Sequence, residues 1–353
     1  MNRTFHSIAL VLAAALLAAP GCTRLEPSGR DGEPVKAEVI IHAEFPGVRV
    51  ETKTDPAYEG NYGILVCVHG DAEYGQFKPA TYNVRAGWNE TGFSGKWSFR
   101  DVVSYTSGAL FTEASEKFFL MGRNDSKTAD FYAYAPWVQS AYHHKPTDVP
   151  FDRSMNLMYA EENNTDTNKG KDPADASPLS ATFTFKHAMA RLVFRFKLNN
   201  TDDAGTPNTT YYVALASLKR SSTATGSHLY SGGRFNAIDG TFPTLTDVSE
   251  VSGGGCYVTR TDYTDYQDSF EILLVPTEVA ADDELTFTFM SGGHTLPPFV
   301  LKREMVKHSD GATYGFQPGY TYTFDFTLDN YVRFDGFDIA DWTSEELARH
   351  GTI

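Results

Sequence analysis

Residues 319–329 read Gly319-Tyr-Thr-Tyr-Thr-Phe-Asp-Phe-Thr-Leu-Asp329, and this stretch decides the fold class. Large apolar side chains occupy every second position from Tyr320 to Leu328, while Thr and Asp fill the positions between them. Alternation with a period of two is the pattern of a β-strand that has one buried face and one wet face. The stretch therefore predicts a half-buried strand.

The same period recurs elsewhere, at Leu285, Phe287 and Phe289 and at Leu192, Phe194, Phe196 and Leu198. The run 269–275 is apolar on both faces apart from Glu271, which favours a more central strand. Aromatic residues form 14% of the chain and favour pleated surfaces. Residues 97–120 have no clean pattern, and only 344–349 indicates a short exposed helix. We therefore expect an all-β fold.

The first 21 residues have the pattern of a secretory signal peptide. Arg3 precedes an uncharged apolar run, 8–19, which is shorter than the roughly 20 residues of a membrane-spanning helix. Cys22 follows directly after small residues that resemble the lipobox of bacterial lipoproteins. We expect Cys22 to carry acyl chains, palmitate among them, that hold the protein on a membrane. The alternative is a soluble secreted protein cut nearby.

Four segments are expected along the chain. Residues 1–21 are the signal peptide, and 22–34, rich in Pro and Gly, form a lipidated flexible tether. The remaining length favours two domains, since a domain usually holds about 100–200 residues. The polar stretch 161–178 has turn-forming composition and predicts the connection between them. We therefore place an N-terminal β-sandwich domain at 35–172 and a C-terminal β-sandwich domain at 178–353.

The composition limits the partners and the compartment. The formal net charge is −15, which opposes binding to nucleic acid or anionic lipid through bulk charge. Beyond Cys22 only Cys67 and Cys256 remain, too few for a disulfide scaffold and without a C-x-x-C metal spacing. We expect both to be buried thiols.

No catalytic pattern emerges from the sequence. The G-x-S-x-G turn of a serine hydrolase does not occur, and we expect no enzyme and no cofactor. His143 and His144 are adjacent, so on a strand they would point to opposite faces and could not easily share one metal ion. Residues 166–172 carry oxygen ligands at alternate positions, but their Gly comes too early for a calcium loop and no Glu closes the site. We expect no metal site.

Five segments in their order resemble the fimbrillin family (Mfa-like, type V pilins) of Bacteroidales. They are Gly63-Ile-Leu-Val-Cys-Val-His69, Phe131-Tyr-Ala-Tyr-Ala-Pro-Trp137, Phe183-Thr-Phe-Lys-His-Ala-Met-Ala-Arg-Leu192, Pro318-Gly-Tyr-Thr-Tyr-Thr-Phe324 and Phe337-Asp-Ile-Ala-Asp-Trp342. The resemblance spans nearly the whole mature chain. It implies two transthyretin-like β-sandwich domains, export as a lipoprotein, and assembly with other pilin subunits into fimbriae on the outer membrane.

The resemblance also implies strand exchange. In the family a protease cuts after a basic residue beyond the first strand, that strand leaves, and a strand from another subunit takes its place. Here the removable strand would present Ala37, Val39, Ile41, Ala43 and Phe45 on one face. Arg49 and Lys53 follow it and are the candidate cleavage points. The alternative for both is a solvated charge on an edge strand, where Lys and Arg discourage unwanted pairing.

Two functions therefore stay open at this point. One is a structural or adhesive fimbrial subunit assembled by strand exchange. The other is a monomeric outer-membrane surface lipoprotein that binds a glycan or a host protein. A sugar binder should keep exposed aromatic side chains together, whereas a pilin should have an apolar groove beneath its first strand.

The place of Cys22 generates the first testable prediction. Mass spectrometry of the precursor, before any cut at Arg49 or Lys53, should find a chain that begins at an acylated Cys22. The Cys22→Ala variant should lose its association with membranes, because two or three acyl chains anchor a protein durably. A precursor with an unmodified N-terminus elsewhere would contradict the prediction.

Overall fold

The computed structural model describes residues 35–45, 60–68, 83–88, 90–100, 102–104, 110–111, 114–122, 128–138, 146–160, 168, 170–172, 179–198, 210–220, 229–259, 266, 268–328 and 332–342. Strands make up nearly all of the regular structure in these ranges, and Arg303–Val306 forms a short 3₁₀ helix. The prediction of an all-β fold is confirmed. The predicted helix 344–349 lies outside the described residues.

The strands of the first half are β1 (Val35–Glu44), β2 (Asn61–Val68), β3 (Asn83–Trp88), β4 (Trp97–Arg100), β5 (Val102–Ser104), β6 (Leu110–Phe111), β7 (Phe118–Gly122), β8 (Ala129–Ala135), β9 (Val149–Asp152), β10 (Met158–Ala160), β11 (Leu179–His187) and β12 (Ala190–Leu198). Those of the second half are β13 (Thr210–Arg220), β14 (Leu229–Phe235), β15 (Thr244–Val248), β16 (Glu250–Val251), β17 (Gly255–Thr259), β18 (Asp268–Leu274), β19 (Thr277–Glu278), β20 (Leu285–Ser291), β21 (His294–Thr295), β22 (Phe299–Leu301), β23 (Gly315–Phe316), β24 (Tyr320–Leu328) and β25 (Val332–Asp341).

One eight-stranded sheet forms the N-terminal part, in the order β4-β3-β2-β8-β10-β11-β1-β7. The sheet curls until its two outer strands approach each other, since Phe99 of β4 and Ser115 exchange backbone hydrogen bonds of 2.8 and 3.1 Å. The rings of Phe99 and Phe118 lie 5.9 Å apart across the same gap. The curled sheet therefore encloses its own apolar face as a core, which includes Val39, Ile64, Val66, Phe131, Ala133, Phe183 and Phe185.

Two sheets pack face to face in the C-terminal part. One has the order β18-β12-β24-β25, and the other has the order β16-β13-β20-β21 with β17 beside β13 and β22 beside β20. Phenylalanine rings from the two sheets interlock, with centroids 5.6 Å apart for Phe194 and Phe287 and 5.1 Å apart for Phe326 and Phe289. Each fully buried ring contributes about 1.5–3 kcal/mol of apolar burial. Residues 320–328 of the quoted stretch form β24, in the interior of its sheet.

The chain passes from the first core to the second between β11 and β12, which only Ala188 and Met189 separate. Strand β11 pairs with β1 and β10, whereas β12 pairs with β18 and β24. Residues 179–187 thus lie in the first sheet, although the sequence analysis assigned them to the second domain. The polar stretch 161–178 misled that assignment because turn-forming composition marks a loop and not a change of core.

Hydrogen bonds also tie the two parts together elsewhere. Strand β9, which the sequence analysis assigned to the first domain, pairs with β14 in the three-stranded sheet β15-β14-β9. The guanidinium of Arg153 donates to the backbone oxygens of Leu273 at 3.0 Å and Ser252 at 3.1 Å. Backbone pairing and side-chain hydrogen bonds therefore join residues on the two sides of the predicted boundary.

Trp342 closes the junction between the two cores. Its ring stacks on His187, with centroids 3.7 Å apart and planes within 3° of each other. The guanidinium carbon of Arg191 lies 5.8 Å from the indole centroid, and Arg191 Nε donates to Glu271 at 2.7 Å. A third buried cluster surrounds them and contains Leu65, Tyr134, Val138, Val149, Phe151, Leu157, Ala188, Met189, Phe235, Ala237 and Val275. We call this cluster, with His187, Arg191 and Trp342, the junction.

Replacing Trp342 tests the junction. We expect Trp342→Ala to lower the free energy of unfolding by about 3–5 kcal/mol, because truncation of a buried large aromatic removes its burial and leaves a cavity. Tyr257→Ala is the control, since Tyr257 is 65% exposed. Urea denaturation of both variants measures the change, and an equal small loss in the two would contradict the role of Trp342.

His187 generates a prediction on pH dependence. Burial, with the positive charge of Arg191 as the second cause, lowers the pKa of His187 from 6.5 to about 3. Below pH 6.5 His187 therefore binds a proton in the unfolded chain, whereas in the folded chain it stays neutral until the pH approaches 3. The contribution to stability is complete above pH 6.5 and is lost as the pH falls towards 3, by up to about 1.4 kcal/mol per pH unit.

The His187→Phe variant isolates this effect because it keeps a ring against Trp342 and cannot titrate. We expect the difference in unfolding free energy between wild type and variant to change between pH 6.5 and 5 and to stay constant above pH 7. Urea denaturation across that range measures it. Parallel pH profiles for the two proteins would contradict the assignment.

Candidate functional site

Strand β1 is the element that connects β7 to the rest of the first sheet. Its residues Val35–Val39 pair antiparallel with Phe118–Gly122 of β7. Its residues Val39–Glu44 pair parallel with Leu179–Thr184 of β11. We call the space that β1 fills between these two strands the β1 groove. Within the described part of the chain, β7 has no partner strand other than β1.

The two faces of β1 meet different surroundings. Ala37, Val39 and Phe45 are buried in the first core, and Ile41 and Ala43 pack against it half-buried. On the opposite face Ile40 is 45% exposed, and His42 and Glu44 are also exposed. The alternation places the apolar side chains inside the curl and the others in solvent.

Phe45 fixes the end of β1. Its ring stacks on Phe185 of β11, with centroids 4.4 Å apart and planes within 7°. It also meets Tyr62 at 5.9 Å and Trp97 at 6.3 Å, so that rings from four parts of the sheet surround one another. Such pairs contribute about 0.5–1.5 kcal/mol each beyond burial. Phe45 is therefore the largest single anchor of the strand.

Ion pairing adds little to the attachment of β1. Lys117 Nζ lies 3.0 Å from Glu38 Oε2, but the side chains are 59% and 36% exposed. A pair of this exposure contributes between zero and about 1 kcal/mol. Apolar contacts and backbone hydrogen bonds therefore hold the strand in the groove.

The sequence analysis also named candidate residues outside β1. Cys22, Arg49 and Lys53 lie outside the described residues, as do His143 and His144. Among the described residues no group of three or more His, Cys, Asp and Glu side chains could hold a metal ion. In the same ranges no disulfide joins Cys67, which is buried, to the half-buried Cys256.

In the stretch 166–172, which the sequence analysis compared with a calcium loop, Asn168 and Gly170 form hydrogen bonds to neighbouring strands. Asn168 accepts a hydrogen bond from the backbone nitrogen of Thr182 at 2.7 Å and donates to its oxygen at 2.6 Å. The nitrogen of Gly170 donates to Asp130 Oδ1 at 2.8 Å. Side-chain oxygens here tie the loop to β11 and β8, next to the β1 groove.

Sequence reasoning missed the walls of the groove. Leu179, Ala181, Phe183 and Phe185 of β11 are buried against β1, and they alternate with polar residues in the printed sequence. That period of two was sufficient to predict the strand β11, but it does not indicate that β1 is the strand that pairs with it. Phe118 of β7 lies in a stretch without a clean period, and no local signal identifies it.

No helix in the described ranges is both long enough and apolar enough to span a membrane.

Solved structures with a similar course of the chain come from the Bacteroidales. A protein of Bacteroides ovatus named for cell adhesion is 16% identical with a TM-score of 0.47, and the match covers 89% of this chain and 99% of the other. The tip fimbrial protein Mfa3 of Porphyromonas gingivalis is 9% identical with a TM-score of 0.40, covering 87% and 100%. A fimbrial protein of Bacteroides vulgatus is 12% identical with a TM-score of 0.35, covering 87% and 100%.

No curated protein matches the chain. The model of the fimbrillin-like family matches residues 82–342, which is well over half of the sequence. The match includes β11, β12 and Trp342, where the two cores meet, and β24 of the second core. The chain belongs to the fimbrillin-like family.

Proposed function

We propose that this protein is a structural or adhesive fimbrial subunit that is exported as a lipoprotein and assembled by exchange of β1. Its family is one of fimbrial and adhesion proteins, which act at the cell surface and serve a structural role. Anchoring at the outer membrane through Cys22 and assembly with other pilin subunits are the finer parts of the proposal. The protein needs no cofactor and no catalytic residue for this work.

The observation that carries the proposal is the position of β1. It is the first described strand, yet it pairs with β11, whose residue Leu179 comes 140 positions after its partner Val39. A strand whose main neighbour is so distant in sequence is held by the fold and not by a local turn. A cut between β1 and β2 would therefore leave it attached only by noncovalent contacts.

Exchange also has a driving force. Without β1 the groove would expose Phe118, Phe183, Phe185 and the edges of β7 and β11, and an open strand edge beside an apolar surface readily pairs with another strand. A strand from a second subunit would restore the main-chain hydrogen bonds and refill the positions of Val39 and Phe45. The two states bury the same groove with different donors.

Arg49 and Lys53 suit this sequence of events because both follow β1. Cleavage at either residue would separate Cys22, the tether and β1 from the rest of the chain in one step. Release from the lipid anchor and opening of the groove would then be coupled.

Limited trypsin digestion tests the exchange. We expect cleavage at Arg49 or Lys53 to convert a monomer into a species that forms a ladder on unboiled gels, because the opened groove accepts a strand from a neighbour. The Arg49→Gln/Lys53→Gln double variant should remain monomeric under the same treatment. If the cleaved wild type also remains monomeric, the monomeric surface lipoprotein becomes the better interpretation.

Adjacent residues of β1 supply matched controls. A fluorescent peptide of residues 35–45 should bind the cleaved protein. The Val39→Asp peptide should not bind, since it would bury an unpaired carboxylate at a position that is 3% exposed. The Ile40→Asp peptide should bind within about threefold of the parent, because that side chain faces solvent. Fluorescence anisotropy measures all three, and equal affinities for the two variants would contradict the groove as the binding site.

A further inference from the structure

Exposed aromatic side chains gather on the outer face of the sheet that contains β13, β17 and β20. Tyr212 of β13 and Tyr257 of β17 are directly opposite partners in the antiparallel ladder. Tyr212 is 46% exposed and Tyr257 is 65% exposed. Met290, also on this face, is 40% exposed. We call these three side chains, with Gly255, the tyrosine platform.

The rings of Tyr212 and Tyr257 are in contact and tilted with respect to each other. They lie 5.1 Å apart with an angle of 55° between their planes. A Cβ atom added to Gly255 would lie only 2.5 Å from the hydroxyl oxygen of Tyr212 and 2.8 Å from its Cζ. The far end of the Tyr212 ring therefore rests on the backbone of β17. Its long axis runs along the sheet surface, while Tyr257 stands beside it.

The packing role that usually explains a strand aromatic does not account for this pair. Val213, Leu215 and Val258 on the other side of the same strands are buried in the core. Side chains alternate along a strand, so Tyr212 and Tyr257 point away from that core. Burial thus does not require these rings.

The size of the platform indicates a small ligand. Three large side chains exposed to this extent offer roughly 300 Å² of surface, taking about 200 Å² for each whole side chain. Each partner of a stable protein complex buries about 800 Å². A second copy of this chain or another protein would need far more surface than the platform provides.

The charge of the platform indicates a neutral ligand. None of the outward positions that the described ladders place around the pair carries a charge; these positions are Thr210, Ala214, Gly255, Thr259, Thr288, Met290 and Thr295. The whole chain has a net charge of −15, which repels anions over long distances. A phosphate, a sulfated glycan or a nucleic acid is therefore disfavoured.

We propose that the tyrosine platform binds a neutral pyranose sugar at the end of or within a glycan. One face of a pyranose such as β-galactose presents several C–H groups, and these pack on an aromatic ring, whose face carries negative charge density. Tyr212 would supply the stacking surface, Tyr257 would close one side, and both phenol hydroxyls could bond to sugar hydroxyls. This binding requires no strand exchange, so an uncleaved monomer would have it as well.

Saturation-transfer difference NMR on the full mature chain tests the site. The probes are methyl β-D-galactopyranoside and N-acetyllactosamine, with 3′-sialyllactose as the anionic comparison. We expect transfer to the C–H protons of the neutral sugars and at least a tenfold weaker signal for Tyr212→Ala and Tyr257→Ala. Tyr212→Phe should retain at least half of the signal because the ring remains.

Two further variants make the test specific. Gly255→Ala should weaken the signal several-fold without removing any aromatic side chain, because the added methyl displaces the end of the Tyr212 ring. Tyr211→Ala should leave the signal unchanged, since Tyr211 is 40% exposed but lies on the opposite face of β13. Circular dichroism melting of each variant verifies that the fold is retained.

Three outcomes would overturn the proposal. One is the absence of transfer to either neutral probe, and another is an equal loss of signal in Tyr211→Ala. The third is a dimer on size exclusion that Tyr257→Ala abolishes, since this would assign the platform to contact between proteins. Trypsin treatment should not alter sugar binding, so failure of this proposal is distinguishable from failure of strand exchange.

Discussion

The backbone of residues 179–198 is the constraint on which the rest of the structure depends. It supplies β11 to the first sheet and β12 to the second core with only two residues between them. Both strands are interior members of their sheets, so neither core can rotate away without breaking ladders on both sides. The junction fills the space beside this crossing, where Trp342 stacks on His187 and Arg191 is held by Glu271. The crossing therefore determines where both cores and the end of β25 lie.

The junction explains why short segments that are far apart in the sequence occur together in this chain. Tyr134, His187 and Trp342 come from three of the five segments that resemble the fimbrillin family, and all three meet at the junction. Gly319, from a fourth segment, accepts a hydrogen bond at its backbone oxygen from the nitrogen of Trp342 at 2.7 Å. Each motif is weak alone because many of the contacts of its residues are with the other motifs.

Alternation in the sequence was sufficient to predict strands whose two faces differ, such as β24, and to identify the apolar face of β1. It failed for 97–120, where short strands at the end of a curled sheet meet both core and neighbouring strands and lose a clean period. The domain boundary was predicted from loop composition, which records local turns and carries no information on pairing. The walls of the β1 groove are a product of long-range pairing, so Leu179 and Phe118 could not be assigned from local pattern. The tyrosine platform was also out of reach, because an exposed Tyr and a buried Tyr have the same spacing on a strand.

The parallel pairing of β1 with β11 has a consequence for the order of folding during secretion. A chain that crosses a membrane from its N-terminus delivers β1 first, but the partner of Val39 arrives 140 residues later. Closing a loop of that length carries an entropy cost and slows the formation of the contact. Strands β2, β3, β4 and β8 can pair earlier, because their partners are closer in sequence. Pairing of β1 with β11 is thus a late event, and after β11 arrives its edge stays open until β1 pairs with it. In that interval β1 competes for the edge of β11 with every other strand in the compartment.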